Sequence, residues 1–505
     1  MNARLTLPRC ARSLFAFLGI TVAVATQTPA PANPTPPASS ASPSAALDAE
    51  AVKMLTSFAK GAETYKAFSF SRAAWSMLRD HYDSTNRGAL QGLGFREVKG
   101  EWQAPPTNAK PPADAATPPQ RTTLDGNWRG VLKRLGKMHR ELAVSLQRSG
   151  DQAQSRTHFE RAVELDPDDA VAHDALGHEN LDGFRGNAEQ IAFVKRMREL
   201  QKKAKEIAAT DIPATDLSPS TMPAELAASK LPFVGAQSTN YTYWITGTPA
   251  EARAAVAWSE RSNLLFDHIL GDDSRLELIR KPRRWIAVVR GPEERDVLMN
   301  ASPVLRGKFS EAEVKMFGGI HATLGTGTVE VWWHRPEVDA DNAVGLATKR
   351  GICANKNGAL GEGLVHTATW LLCGTTETGF ASLASTSTGK KEPRERDPSQ
   401  WVAKLRTEIG AGTDWPLVSV PRERMDNFRD PVRYKAWSFM TWLVCRHPDR
   451  WPVLMKKLAR DPLTEEEVVD AFDTALGRPI GDVEAEWREW ARPGSRIGKA
   501  SFDVK

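Results

Sequence analysis

Cysteine is scarce, four residues in 505, and Cys10 lies in an N-terminal leader. Cys353, Cys373 and Cys445 remain, an odd number that admits at most one intramolecular disulfide and excludes a disulfide-dense scaffold. Cys373 and Cys445 fall in apolar, helix-like runs and read as small buried hydrophobes. A dominant charge sign is also lacking, with 67 Lys and Arg against 62 Asp and Glu. Without its three leader arginines the chain carries about +2, so neither nucleic acid nor a membrane surface is indicated as partner. After the leader no stretch approaches the roughly 20 apolar residues of a bilayer-spanning helix, so no transmembrane segment is expected after signal cleavage. There is no G-x-S-x-G elbow, no P-loop and no Rossmann fingerprint on a strand-to-helix turn. The glycines of GLGFREVKG follow a helical segment and read as a turn.

Residues 1–25 combine Arg4, Arg9 and Arg12 with the run SLFAFLGITVAVA and end in Ala23-Val24-Ala25. That is a secretory signal peptide with an A-x-A cleavage site, which implies export to the periplasm or beyond. Cys10 precedes the apolar run, which excludes a lipoprotein. Residues 26–46 are a Pro/Ala/Ser linker, expected to be extended. A helical repeat-like segment, 47–103, is followed by the Pro-rich stretch 104–124, either a second linker or a long surface loop.

The sequence echoes itself: Leu93–Trp102, LGFREVKGEW, resembles Leu176–Arg185, LGHENLDGFR, and HYDSTNRGAL upstream stands over ELDPDDAVAH. Each copy reads as helix, Asp-containing turn, helix, then a short polar turn around a glycine. Within 125–210, the stretch Gly136–Asp169 fits one tetratricopeptide unit: Leu142, Ala143 and Leu146 on one helix, Gly150 at the turn, Phe159 and Ala162 facing back, Pro167 as the stop. His173, Leu176 and Gly177 continue in phase as the start of another unit. These helices either offer a peptide-binding surface or cap the larger domain. EQIAFVKRMRELQKKAKEIA, 189–208, is a long charged helix, and 211–238, with Pro213, Pro219 and Pro223, is a connector.

From YTYWIT at Tyr241 the pattern changes to a strand, a helix started by the capping box Thr248-Pro249-Ala250-Glu251, and the short strands LELI and RWIAVV. The basic run Arg280–Arg284 between those strands reads as a solvated turn. GTVEVWWH is a further strand. ALGEGLVHTATWLLC, 359–373, is a helix with Leu360, Leu364, Ala368 and Leu371 as its apolar stripe and Glu362, His366 and Trp370 on the other side. The helices YKAWSFMTWLVCRH, RWPVLMKKLAR and LTEEEVVDAFDTALG follow, and Ile480, Val483 and Trp487 close the domain. The segment 493–505 is a tail. Trp332-Trp333, Trp437, Trp442, Trp487 and Trp490 are candidates for a carbohydrate or peptide groove, although most stand at helix-core spacing.

This order over residues 239–492 resembles the gluzincin-type (peptidase MA-like) metallopeptidase domain of secreted bacterial proteins that carry tetratricopeptide helices in front. The fold class that follows is α+β: a helical tetratricopeptide-like N-terminal region, then a mostly helical zincin-like domain with a small mixed β-sheet. The family's chemistry needs His-Glu-x-x-His on a helix, where two histidines bind zinc and the glutamate activates water, plus a later Glu as ligand. With His366 as the second histidine, Glu362 takes the place of the first, Gly363 that of the base, and Glu377, eleven residues after His366, that of the third ligand. With Glu362 as the base instead, Gly361 and Val365 stand at the ligand positions and His366 is turned about 100° away. Either register lacks a component. His321 and His334 flank the GTVEVWWH strand and could approach the same cleft, but read as structural. The expectation is a degenerate domain that binds a peptide or protein partner and needs no cofactor. The alternatives are a zinc metallopeptidase with an altered site at Glu362, His366 and Glu377, and a structural envelope scaffold. A simpler reading makes Glu362 and His366 a helix-surface pair worth about 0.2–0.5 kcal/mol.

Overall fold

The computed structural model describes residues 43–106, 112–271, 285–302, 321–324, 327–331, 339–351, 358–376, 397–423, 430–459 and 462–502. The chain divides between Met138 and His139 into two compact units. The architecture is mostly helical with small sheets, an α+β protein.

In the first unit α1 (Pro43–Thr64) packs against α2 (Phe68–His81). Leu55, Ala59 and Ala62 meet a stripe of Ala74, Trp75 and Leu78, all at most 2% exposed. The short α3 (Arg87–Gly92) follows, then a hairpin of β1 (Arg96–Val98) and β2 (Glu101–Gln103). The long α4 (Pro118–Ser149) sets Trp128 against Phe58, ring centroids 4.8 Å apart. Both proline-rich stretches are shorter than their composition suggests, because α1 already starts at Pro43 and α4 at Pro118. A proline in the first helical turn has no amide to lose and a φ already suited to the helix. Before α4, Ala115 N–H donates to Lys66 O at 2.9 Å and Asp114 accepts from Ser69 N–H at 2.8 Å, which lays this part of the loop over the α1–α2 turn.

The second unit opens with the same construction. The end of α4 and α5 (Gln152–Leu165) enclose Ala143, Phe159 and Ala162; α6 (Ala170–Ala175) and a hairpin of β3 (Glu179–Leu181) and β4 (Phe184–Gly186) follow. Asn86 and Asp169 cap α3 and α6 alike, each accepting from the amide three residues on at 3.0 Å. The polar turns of the echo are therefore β-hairpins. Lys99-Gly100 and Asp182-Gly183 take φ of 55° and 85°, and 51° and 88°, the left-handed pair that suits a two-residue turn to the twist of its strands. The segment from His173 starts no further helix pair, since α6 ends at Ala175 and the chain turns into β3.

After the charged α7 (Ala188–Ala208) comes a six-stranded mixed sheet in the order β5-β6-β7-β8-β10-β9. Its strands are β5 (Thr215–Leu217), β6 (Val234–Gln237), β7 (Thr242–Ile245), β8 (Trp285–Val289), β9 (His321–Leu324) and β10 (Gly327–Val331). The connector 211–238 thus supplies two strands, and with them the small helix α8 (Ala224–Ala227), so the sheet begins before Tyr241. β7 runs parallel to β8 and β8 parallel to β10, while the other neighbours are antiparallel. Alternation decides the layers. Tyr243, Ile245, Ile286 and Val288 face α9 (Pro249–Leu270) and α11 (Asp339–Gly351). Trp244, Ala287 and Val289 face α8 and α10 (Pro292–Ala301).

The rest of the unit is helical: α12 (Gly358–Cys373), α13 (Pro398–Ala411), α14 (Asp430–Arg446), α15 (Trp451–Lys457), α16 (Glu465–Leu476), α17 (Ile480–Ala491) and α18 (Arg496–Phe502). Trp437, Trp442, Trp487 and Trp490 are all buried in this layer, as core spacing implies. The closing helix α18 lies in the stretch read as a tail.

At the end of α14, Arg446 bonds Glu189 at 2.9 Å and Glu486 at 2.5 Å, and Glu486 also pairs with Arg478. Burial pushes the neighbouring His447 down to about 4, helped by Arg446, Arg478 and Arg450 and opposed by Glu486. Below pH 6.5 the unfolded chain takes up a proton that the folded one refuses until about pH 4. Stability is therefore full above the unfolded value and falls as pH drops through that window. His447→Gln is expected to flatten the urea midpoint between pH 7 and 4.5, leaving a residual slope from His173 and His178, which burial also depresses. An unchanged slope would show that His447 is not the group responsible.

Candidate functional site

The sequence places Glu362, His366 and Glu377 on or after α12, and His321 and His334 before it. This helix opens at Gly358, whose φ of 47° and whose approach to the Glu423 carbonyl, 2.9 Å from where a Cβ would stand, both favour glycine. Its 16 residues carry no Lys, Arg or Asp and a single Glu, and they pack against α7, α9, α11 and α14. It has no solvent face: Glu362 is 4% exposed, His366 0% and Trp370 5%. The surface-pair reading is thereby overturned, because neighbouring helices cover the side opposite the apolar stripe as well.

His366 Nδ1–H donates to Thr376 O at 2.8 Å, and the Trp401 ring stands edge-on at 4.9 Å. A carbonyl can only accept, so in the neutral ring Nδ1 carries the proton and Nε2 the lone pair. Trp401 in turn contacts Tyr434 at 5.1 Å and Trp437 at 5.5 Å, so the imidazole lies against an aromatic wall.

Gly363, which one of the two registers sets at the general-base position, is where α12 and α14 touch backbone to backbone. A Cβ there would lie 2.3 Å from the Ala436 carbonyl oxygen and 2.5 Å from its carbon. One turn on, Thr367 Oγ1 donates to Gly363 O at 2.9 Å and lies 2.9 Å from Thr441 Oγ1, a polar tie between the same helices. No side chain at 363 could reach a metal-bound water, since it would first meet α14.

The structure thus brings Glu362 and His366 together on one buried helix turn. Glu377 and His334 lie outside the described residues, as do Cys353, Trp332-Trp333 and the LELI and Arg280–Arg284 segments; His321 pairs with Glu330 at the β9 edge of the sheet through its backbone. Among the described residues no three His, Cys, Asp or Glu side chains converge to hold a metal ion. One carboxylate and one imidazole are two of the three protein ligands a catalytic zinc needs, and the third candidate, Glu377, is outside the described residues. In the other register Gly361 and Val365 are equally buried and offer no donor side chain.

Sequence reasoning missed a second polar constellation in this layer, around Lys435. Its Nζ donates to Asp414 Oδ2 at 2.8 Å and to Glu484, while Arg488 reaches the same two carboxylates at 3.1 Å each. The available signal was a lysine inside an otherwise apolar helical run. No protein-family model matches the chain, and no curated protein matches it.

Proposed function

We propose that this is an exported protein whose C-terminal unit follows the order of a gluzincin-type domain without its chemistry, and which acts by holding a peptide or protein partner. Gly363 carries this reading. The position that would bear the water-activating glutamate is spent on a helix contact, and removing a general base costs about 10² to 10⁴ in rate. The N-terminal helix pairs are proposed as tetratricopeptide-like elements that contribute to partner binding.

One observation favours the alternative, a zinc metallopeptidase with an altered site. The Nδ1–H to carbonyl bond is how metal-bound histidines are commonly oriented. The scaffold reading has no observation of its own.

Elemental analysis of the mature protein after incubation with zinc separates these readings, together with His366→Ala and an assay on unstructured peptides. The expected outcome is zinc far below one per chain, no cleavage, and the same result for the variant. Stoichiometric zinc and peptide cleavage that both disappear in His366→Ala would instead establish the metallopeptidase reading.

A further inference from the structure

Lys435 is 0% exposed. Its ammonium lies against the Trp487 ring at 4.6 Å and touches Asp414 at 2.8 Å, whose side chain is 2% exposed. Glu484 contacts the same nitrogen, accepts from Leu417 N–H at 2.9 Å, and is 14% exposed, at the outer side of the cluster. Arg488, 42% exposed, covers both carboxylates. Glu408 is the further carboxyl of this neighbourhood, its pKa raised by burial and by Asp414. Two cations and two carboxylates balance, yet a buried ion pair gives up the hydration of both charges, and its attraction often fails to repay the loss.

We propose that Lys435 and Asp414 are a site of covalent self-modification, in which they condense to an intramolecular isopeptide with Glu484 as the proton carrier. Lys435 passes one proton to Glu484. The freed amine lone pair attacks Asp414 Cγ, forming the Nζ–Cγ bond. Protonated Glu484 returns its proton to a carboxyl oxygen of Asp414, the Cγ–O bond breaks, and that oxygen leaves as water with a second proton from Nζ. Ammonium and carboxylate become amide and water, with no oxidant or co-reactant. Holding amine and carboxyl in contact replaces an encounter with an intramolecular step. The product removes two buried charges and leaves Glu484 and Arg488 as an ordinary i,i+4 pair. The bond would tie α14 to the loop after α13 across 21 residues. It would give an exported chain whose described cysteines, Cys373 and Cys445, are free a cross-link that no disulfide supplies.

Peptide mapping by mass spectrometry of the purified, folded chain decides it. The expected result is a branched tryptic peptide joining 407–422 to 434–446, lighter by one water than its two parts, with cleavage after Lys435 blocked. The branch is expected to vanish in Lys435→Met, and in Glu484→Gln, which keeps the Lys435 contact to Asp414. Linear 407–422 at full mass together with 434–435 and 436–446, cut after Lys435, would overturn the proposal, as would loss of water confined to 407–422, the mark of a succinimide at Asp414. A branch that persists in Glu484→Gln would overturn the role given to that carboxylate.

Discussion

Introducing His-Glu-x-x-His into α12, with Glu362→His and Gly363→Glu together, is expected to give an unfolded chain rather than a peptidase. Gly363→Ala alone shows why. An exposed helical glycine replaced by alanine gains about 0.5–1 kcal/mol, whereas here the new methyl would stand 2.3 Å from the Ala436 carbonyl oxygen. Backbone cannot swing aside as a side chain can, so α12 and α14 must separate along their whole contact, which also pulls apart Thr367 and Thr441. The cost is about 3 kcal/mol or more for alanine. Glutamate adds a carboxylate with nothing to pair it, for several kcal/mol beyond that. Urea unfolding of Gly363→Ala beside wild type measures the first. Soluble, cooperatively folding double variant would show that the helices can part, and would reopen the cleft as a catalytic site.

What the sequence exposed of this site follows from what periodicity can carry. The i to i+4 spacing of Glu362 and His366 and the apolar stripe at Leu360, Leu364 and Ala368 are local, and α12 begins one residue before the 359–373 run and ends with it. Whether the other face meets water depends on α7, α9 and α14, far away in sequence, and on how the neighbouring α11 docks, so the buried state of Glu362 was not legible. Gly363 reads in sequence as an absent glutamate. Only the approach of Ala436, 73 positions later, shows that the glycine is needed for its own sake. The hairpins were missed for another reason. Three-residue strands are too short for alternation to show, so Lys99-Gly100 and Asp182-Gly183, both of positive φ, read in sequence only as polar turns around a glycine. The internal echo was nevertheless visible, because caps and turn glycines recur at fixed offsets.

Phe502→Ala is expected to destabilise the C-terminal unit by about 3–5 kcal/mol, the usual cost of emptying a buried phenylalanine site. Phe502 is 2% exposed and meets Trp490 at 4.7 Å, Trp437 at 5.0 Å and Trp370 at 5.6 Å. The last of these lies on α12, so α18 closes the core around the candidate site. Composition offered little warning, since SRIGKASF has only two large apolar residues and reads as a tail. The helix is held by particular contacts: Trp490 Nε1–H donates to Ser501 Oγ at 2.9 Å, Gln201 to Ser501 O at 3.1 Å, and Gly498 lets the chain pass the Trp490 carbonyl, 2.4 Å from where a Cβ would lie. The solvent-exposed neighbour Lys499 supplies the control, with Lys499→Ala expected within about 0.5 kcal/mol of wild type. Urea unfolding followed by tryptophan emission reads both, since Phe502 touches three indoles. If Phe502→Ala unfolded with the wild-type midpoint, α18 would be an appendage and the aromatic layer under α12 complete without it.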